Sequence, residues 1–293
     1  MTQPPRDIEE YLRGEPNYLP GTNIEVINPD APRGRFRYGI FDFDGTISLL
    51  REGWEKIMAP VMIEAICGDH PPTPEIERAV AEYIDRSTGI QTIFQMEHLV
   101  EMVRHFGLVP EEKILDAWGY KEIYNDRLMV PVRERIAQME RGEKTREDFT
   151  LRGSVEFLQM LCERGMTLYC FSGTDQEDVR NENRVLGTDK YFVGGIFGAL
   201  RPVEAYSKEK VLRDLIARFD LHGSEVLVVG DGPVELRNAK EVGAFALGVA
   251  SDEARGHGLN APKRLRVARA GADIIVPDFS ERRAIYEYLF PEG

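Results

Sequence analysis

The chain contains 293 residues, of which 42% are hydrophobic and 30% are charged, as is ordinary for a globular protein with one large domain or two modest ones. Its formal net charge of -13 argues against nucleic acid or an anionic membrane as a partner but permits a small anionic substrate. The sequence has neither an apolar run long enough to cross a bilayer nor a signal-peptide pattern, so we expect a cytoplasmic protein. The three cysteines, too few and too scattered for a disulfide framework or zinc site, should be buried thiols.

The amino-terminal part of the chain differs in composition from the rest. Residues 1–35 hold six of the 17 prolines and several turn pairs, and we expect an irregular arm there. Beyond it, the chain contains short apolar runs of strand length. Helical patterns, such as that at 153–164, lie between most of these runs. These runs lie at 37–43, 167–172, 225–230, 244–250 and 273–276. Because parallel strands need crossover connections and are buried on both faces, the pattern predicts an α/β fold, a Rossmann-like three-layer α/β/α domain with a central parallel sheet.

One long stretch departs from this alternation. Residues 48–150 contain no convincing strand, and a segment of roughly a hundred residues is too long for a loop. Helical patterns occupy 49–67 with Pro60 as a possible kink, 74–86 and 92–107, with further patches to about 142. We therefore expect an inserted all-α subdomain. The chain then divides into an arm (1–35), a core domain (36–47 and 151–293) and a helical domain (48–150).

The first predicted strand leads into the sequence Asp42-Phe43-Asp44-Gly45-Thr46. In an open parallel sheet, ligands bind beyond the carboxyl ends of the strands, so these residues are candidates for chemistry. Asp42 and Asp44 are two residues apart and in a continuing strand would point the same way, where a magnesium ion bound through oxygen ligands would relieve their repulsion. The alternative is a plain Asp-Gly turn, which often ends a strand.

Two further predicted strands also end in polar residues. Asp231 and Glu235 follow the strand at 225–230, and their i, i+4 spacing brings two carboxylates together at a helix start, either as metal ligands or as ordinary capping acids. After the strand at 167–172, the Ser172 hydroxyl and the Gly173 amide offer a phosphate position at an expected helix start. The alternative for Ser172 is a helix cap.

A positive charge for this site is expected from the helical pattern at 208–219. Lys208 precedes apolar residues at i+3 and i+4, whereas Lys210 precedes Arg213 and Asp214, so Lys208 is the lysine that faces inward. A buried ammonium requires anions nearby, and its position therefore agrees with a phosphate site. The alternative is a lysine that extends from the first helical turn to solvent.

Taken in order, these residues resemble the motifs of the haloacid dehalogenase superfamily of phosphohydrolases. The family pattern is Asp-x-Asp-Gly-Thr/Val after the first strand, a Ser/Thr after the second, a downstream Lys, and Gly-Asp followed by another acid. The corresponding residues here are 42–46, Ser172, Lys208 and 230–235, and the resemblance spans about 36–290. The helical insert falls where one branch of the superfamily carries a mobile helical cap. The fourth motif departs from the pattern, because Glu235 replaces the more common Asp.

The resemblance implies a role for each motif. Asp42 would be the nucleophile and Asp44 the general acid and base. Magnesium would be held by the Asp42 side chain, the Asp44 carbonyl and Asp231, with Glu235 binding directly or through water. The transferring phosphoryl group would be bound by Ser172, Gly173 and Lys208.

The chemistry of a carboxylate nucleophile agrees with this assignment. Aspartate is ionised at neutral pH and needs no base, but two unit charges of like sign at 4 Å repel by about 4 kcal/mol at an effective dielectric of 20, so cations must offset the approach of a phosphate ester. We therefore expect a magnesium-dependent phosphatase that acts on a small phosphorylated metabolite. The alternatives are a phosphomutase of the same superfamily and a non-catalytic phosphate-binding protein, and the sequence does not indicate the oligomeric state.

Overall fold

The computed structural model describes residues 7–200 and 223–291, so the helical pattern at 208–219 and its Lys208 lie outside the described residues. The strands are β1 (Glu25–Val26), β2 (Tyr38–Phe41), β3 (Thr167–Asp175), β4 (Gly195–Ala199), β5 (Val226–Gly230), β6 (Phe245–Val249) and β7 (Ile274–Val276). The α-helices within these ranges are α1 (Ile8–Arg13), α2 (Glu55–Cys67), α3 (Pro74–Ser87), α4 (Thr92–Phe106), α5 (Ala117–Glu140), α6 (Ser154–Glu163), α7 (Gln176–Leu186), α8 (Pro233–Glu241), α9 (Ala261–Arg269) and α10 (Arg282–Leu289). None of the described helices combines the length and apolarity that a membrane span requires.

The strands form one seven-stranded sheet in the order β1-β7-β6-β5-β2-β3-β4. All neighbours are parallel except β1, which pairs antiparallel with β7. The first long strand, β2, lies between β3 and β5, with Phe41 opposite Cys170 on one side and Val229 on the other. The carboxyl end of β2 is therefore flanked by the ends of two later strands, at the point where the strand order changes direction. The predicted parallel-sheet α/β fold is confirmed.

Alternating side chains along the central strands supply the two faces of the sheet. Ile40, Tyr169 and Val228 belong to one buried cluster. On β2 the next residue, Phe41, points the other way and packs edge-on against Phe157 of α6, with ring centroids 6.4 Å apart. Each fully buried side chain of this size contributes roughly 1.5–3 kcal/mol to folding. The strand is thus fixed on both faces and along both edges, which makes its end a rigid support for polar groups.

The chain divides into two compact units, residues 1–50 with 145–293 and residues 51–144. The second unit contains α2 to α5 and has its own buried core, centred on side chains of α2, α3, α4 and α5 such as Met62, Val80, Leu99 and Leu128. The chain segments next to the junctions pair within the first unit. Ser48 and Thr150 form an antiparallel bridge, and the Leu49 N–H donates to the Phe149 carbonyl at 2.9 Å.

Several predicted boundaries differ from the structure for local reasons. Helix α2 begins at Glu55 rather than at 49, because Gly53 has a φ of +82°, outside the right-handed helical region. The expected patches before residue 142 include one 24-residue helix, α5, whose start is capped when Asp116 accepts a hydrogen bond from the Gly119 N–H.

The amino-terminal arm is more ordered than predicted, since it contains α1 and β1. Glu25 of β1 is buried and accepts hydrogen bonds from the Arg264 guanidinium of α9 and from the Tyr11 hydroxyl of α1. Strand β1 is too short to be recognised from its own sequence, and its partner on β7 lies about 250 residues away in the numbering, at Ile274 and Ile275. The arm therefore covers one edge of the sheet.

All three cysteines are free thiols. Cys67 and Cys170 are buried as expected, whereas Cys162 is only partly buried, on α6. Burial raises the pKa of Cys67 and of Cys162 above the ordinary thiol value, which disfavours the reactive thiolate. A packing role accounts for these residues.

Candidate active site

The segment after β2 forms a tight turn. The Asp42 N–H still donates to the Val229 carbonyl at 2.9 Å, so the strand pairing reaches the first acidic residue. One carbonyl, that of Phe43, then accepts from three successive backbone N–H groups, those of Thr46, Ile47 and Ser48. Gly45 adopts a φ of +73°, and a Cβ at this position would collide with the Asp231 carboxylate. The turn therefore requires glycine for its backbone conformation and for its close approach to β5.

The two acidic residues of this segment have different neighbours. Asp42 lies in a group of three buried carboxylates with Asp231 and Glu235, whose nearest oxygens are all within 4.8 Å of one another. Asp44 is half-buried, and its Oδ2 accepts hydrogen bonds from the Ser172 hydroxyl at 3.2 Å and the Thr174 hydroxyl at 2.9 Å. The turn after β2 thus directs Asp42 towards the end of β5 and Asp44 towards the end of β3. A single cation between the two side chains does not describe this arrangement.

Glu235 both caps a helix and lies among the clustered carboxylates. Helix α8 begins after Gly232, and the Glu235 carboxylate accepts the Gly232 N–H at 2.7 Å, so it satisfies the helix start. The same side chain is buried within the three-carboxylate group. Asp231 is not the cap, because the residue that caps the helix is Gly232. The capping explanation is wrong for Asp231 and correct for Glu235.

Ser172 does not lie at a helix start, which corrects the sequence-based expectation. Strand β3 continues to Asp175, and α7 begins at Gln176. Between Phe171 and Asp175 the register with β4 shifts, so Ser172 and Gly173 lie in an irregular strand segment. There the buried Ser172 hydroxyl accepts the Thr174 N–H at 3.0 Å while donating to Asp44. The irregularity directs the Ser172 and Thr174 hydroxyls towards Asp44 in the turn after β2.

A buried lysine that the sequence analysis missed lies beside this group. The Lys263 ammonium, on the first turn of α9, donates to Asp231 Oδ2 at 2.8 Å and to Glu253 Oε1 at 2.6 Å. The residue is only 5% exposed. Burial by itself lowers the pKa of Lys263, but the charges of Asp231 and Glu253 outweigh it and raise the pKa above the ordinary value. Lys263 is therefore protonated at neutral pH next to the carboxylates.

The structure brings together most of the residues that the sequence singled out. Asp42, Asp231 and Glu235 form one group, while Ser172 contacts Asp44, and Lys208 lies outside the described residues. Three further residues at the site, Thr174, Glu253 and Lys263, had no predicted role. A signal existed for Lys263, since Asn260-Ala261-Pro262 reads as a helix start and places a lysine where the helix dipole disfavours it.

The three buried carboxylates fit a hard divalent cation. They offer only oxygen donors, which suits magnesium. Three carboxylates within 4.8 Å would repel one another strongly at this burial without a positive partner. The Lys263 ammonium contacts one of the three, Asp231. The donor set therefore supports a divalent cation held by Asp42, Asp231 and Glu235.

Comparison with protein families now identifies the class of this protein. The family model for haloacid dehalogenase-like hydrolases matches residues 39–243, which include the turn after β2, the irregular end of β3 and the start of α8. The chain belongs to the haloacid dehalogenase-like hydrolases. No match is found among functionally curated proteins.

Solved structures share the fold. The chain is similar to a predicted phosphoglycolate phosphatase from Haemophilus somnus, with a TM-score of 0.56, 18% identity and coverage of 86% of this chain and 98% of the other. It is also similar to a β-phosphoglucomutase from Clostridium difficile, with a TM-score of 0.57, 13% identity and coverage of 87% and 97%. A predicted phosphatase from Clostridium acetobutylicum gives a TM-score of 0.55 at 15% identity, with coverage of 86% and 99%. At these identities the likeness is one of fold.

Proposed function

We propose that this protein is a magnesium-dependent phosphatase that hydrolyses a small phosphorylated metabolite through an aspartyl phosphate on Asp42. The observation that carries the proposal is the separation of the two acids, with Asp42 among the buried carboxylates and Asp44 against two hydroxyls. A nucleophile and a proton carrier need such different surroundings, because one must stay ionised near a cation while the other must gain and lose a proton.

In the first step the Asp42 carboxylate attacks the phosphorus of the ester. The bond from phosphorus to the ester oxygen breaks, and the departing alkoxide takes a proton from Asp44. The Ser172 and Thr174 hydroxyls both donate to Oδ2 of Asp44, so we assign the transferred proton to Oδ1. The two hydroxyls hold the carboxyl group in a fixed orientation for this transfer.

The attack brings an anion towards an anion, and cations must offset the repulsion. When bound at Asp42, Asp231 and Glu235, magnesium supplies this charge compensation and stabilises negative charge on the phosphoryl oxygens. Lys208 and the Gly173 amide are assigned to the phosphoryl group on the family resemblance.

In the second step water attacks the phosphorus of the aspartyl phosphate. Asp44, now ionised, takes a proton from that water, the bond between phosphorus and the Asp42 oxygen breaks, and inorganic phosphate leaves. Asp42 is ionised again and Asp44 is protonated again, so the cycle closes. The helical residues 48–150 are assigned the role of a cap that restricts access of water, as the family resemblance implies.

The test is phosphate release from a panel of small phosphate esters with magnesium present, comparing the unaltered protein with Asp42→Asn. Because the amide cannot act as the nucleophile, we expect turnover to fall by more than about a thousandfold. The exposed Asp189 offers a matched control, since Asp189→Asn removes the same charge away from the site and should leave turnover unchanged.

Two results would contradict the proposal. One is an Asp42→Asn protein that is folded, as judged by circular dichroism, and still active. The other is the absence of phosphate release by the unaltered protein across the whole panel, which agrees instead with a non-catalytic phosphate-binding protein. A phosphomutase would convert the ester to an isomer when a bisphosphorylated primer is added, with little free phosphate.

A further inference from the structure

Lys263 occupies a position that is unfavourable for a lysine in two respects. It lies in the first turn of α9, directly after the Asn260 cap, where the helix dipole favours acids and disfavours cations. It is also buried, and a buried ammonium costs several kcal/mol unless anions surround it. A lysine in such a place requires compensating contacts, and the structure provides them beyond the carboxyl ends of β5 and β6.

The contacts of Lys263 join three segments of the site. The ammonium donates to Asp231 after β5 and to Glu253 after β6, and it lies 3.5 Å from the Ser251 hydroxyl. Ser251 in turn donates to the Gly45 carbonyl at 3.1 Å, in the turn that follows Asp42 and contains Asp44. A Cβ on Gly45 would lie within 2.9 Å of Glu253 Oε1, which shows how closely the turn approaches these carboxylates. Lys263 is therefore at the centre of a buried polar network beneath the turn.

We infer that Lys263 is a positioning residue for the metal site: its ammonium holds Oδ2 of Asp231 and thereby presents Oδ1 to the cation. The inference rests on the proposed function, because it concerns the divalent cation that the phosphatase requires. Groups behind a metal ligand commonly fix its orientation, and their loss costs about 10–100-fold in metal affinity or activity. Glu253 supports this arrangement, because its negative charge offsets that of the Lys263 ammonium.

The sign of the expected effect separates positioning from simple electrostatics. If Lys263 acted only as a positive charge beside the cation, removing it would strengthen cation binding. If it orients Asp231, removing it weakens binding although a repulsive charge has gone. The double substitution Lys263→Met with Glu253→Gln removes one positive and one negative charge, so the net charge of the network is unchanged and the orienting contact alone is lost.

The experiment is isothermal titration of the full-length protein with magnesium chloride and, separately, manganese chloride at neutral pH. We expect the dissociation constant of the double variant to rise by about tenfold or more. Lys263→Met alone should also bind more weakly. Glu253→Gln removes the carboxylate that offsets the Lys263 ammonium, so more positive charge acts near the metal site and magnesium binding should weaken by about fivefold. If neither Met variant folds, Lys263→Arg decides the question: it keeps the positive charge but not the geometry of the contact with Asp231, so weaker binding supports positioning and unchanged binding contradicts it.

Lys240 provides the matched control. It is also a lysine paired with a buried aspartate, donating to Asp273 at 2.8 and 2.9 Å, but it contacts none of the three carboxylates. Lys240→Met should lower the melting temperature without changing the magnesium dissociation constant.

The outcomes distinguish the inference from the function on which it rests. An unaltered protein that does not bind magnesium or manganese overturns the proposed metal dependence itself. An unaltered protein that binds, together with a folded double variant of equal or higher affinity, overturns the role of Lys263 alone. Equal losses of affinity in the Lys240→Met and Lys263→Met proteins would show a general effect of destabilisation and would also overturn it.

Discussion

At the scale of single residues, Gly45 connects backbone conformation to the chemistry of the site. Its φ of +73° is in the left-handed region, and its missing side chain leaves room for the Asp231 carboxylate. Asp231 can therefore lie against the turn that follows Asp42, the proposed nucleophile. Any other residue would have to displace either the turn or one of the three clustered carboxylates.

We predict that Gly45→Ala destabilises the protein more than a glycine-to-alanine change at a position with the same positive φ but with room for the Cβ. Gly243 is the matched control, because its φ is +72° and a Cβ there would meet nothing within 4 Å. Gly243→Ala should cost about 1–2 kcal/mol, whereas Gly45→Ala should cost a further 1–3 kcal/mol for the collision with Asp231. Urea unfolding of both variants measures the difference, and equal losses would show that the collision is relieved without cost.

The sequence predicts which acidic residues lie at the site better than it predicts where their side chains point. Asp42 and Asp44 lie at the end of one apolar run, Asp231 follows another with Glu235 four residues later, and parallel strands bring such ends to one edge of a sheet. The different directions of Asp42 and Asp44 could not be predicted, because they depend on a turn closed by Phe43 carbonyl hydrogen bonds. Their contacts with residues of other strands are tertiary and leave no local pattern.

At the scale of elements, α9 serves two separate ion-pair systems. Its first turn carries Lys263 towards the site, while Arg264 next to it pairs with the buried Glu25 of β1. Near its end, Arg269 pairs with Glu9 of α1 in an exposed position. The helix therefore connects the site to the strand that covers the sheet edge, and the two arm contacts differ chiefly in burial.

That difference leads to a prediction about the arm. Glu25→Gln leaves the Arg264 guanidinium, only 13% exposed in its side chain, without a charged partner and should cost about 3 kcal/mol of unfolding free energy. Glu9→Gln breaks the solvent-exposed pair with Arg269 and should leave the urea midpoint unchanged. Comparable shifts for both variants would mean that burial does not control the contribution of these pairs.

Elements with a strong local pattern were predicted, and those that depend on distant partners were not. The five apolar runs all form strands, because continuous burial selects apolar residues along their whole length. Strand β4 was missed because its glycines weaken the pattern. A Cβ on Gly198 would collide with the backbone around Thr174 and Gln176, so close approach to the end of β3 requires glycine there.

At the scale of the whole molecule, both compact units contain a tyrosine that is protected from ionisation. Burial raises the pKa of Tyr11, in the first unit, and of Tyr83, in the second, to about 12. The folded protein thus holds these protons more tightly than the unfolded chain does, whose tyrosines titrate near 10. The contribution of these two tyrosines to the free energy of unfolding is complete below pH 10 and declines as the pH rises towards 12.

We therefore predict that stability decreases steeply between pH 10 and 12. Tyr83→Phe removes one of the titrating groups and should make this decrease shallower, while Tyr18→Phe, at a tyrosine that is 42% exposed, should not alter it. Urea midpoints measured across this range, with tyrosinate absorbance recorded in parallel, check the prediction. A Tyr83→Phe protein with the same alkaline decrease would contradict it.

The bridge between Ser48 and Thr150 has a consequence for how the chain tolerates change in length. Leu49 and Leu151 extend this pairing, since the Leu49 N–H donates to Phe149 and the Leu151 N–H donates to Ile47. This pairing joins the chain on either side of residues 51–144, which therefore form a closed loop in the chain with both ends held in the first unit. Closing such a loop costs only about 0.6 kcal/mol more for each doubling of its length. Insertions and deletions within it can therefore accumulate over evolution while the turn at Asp42, a few residues upstream, keeps its geometry.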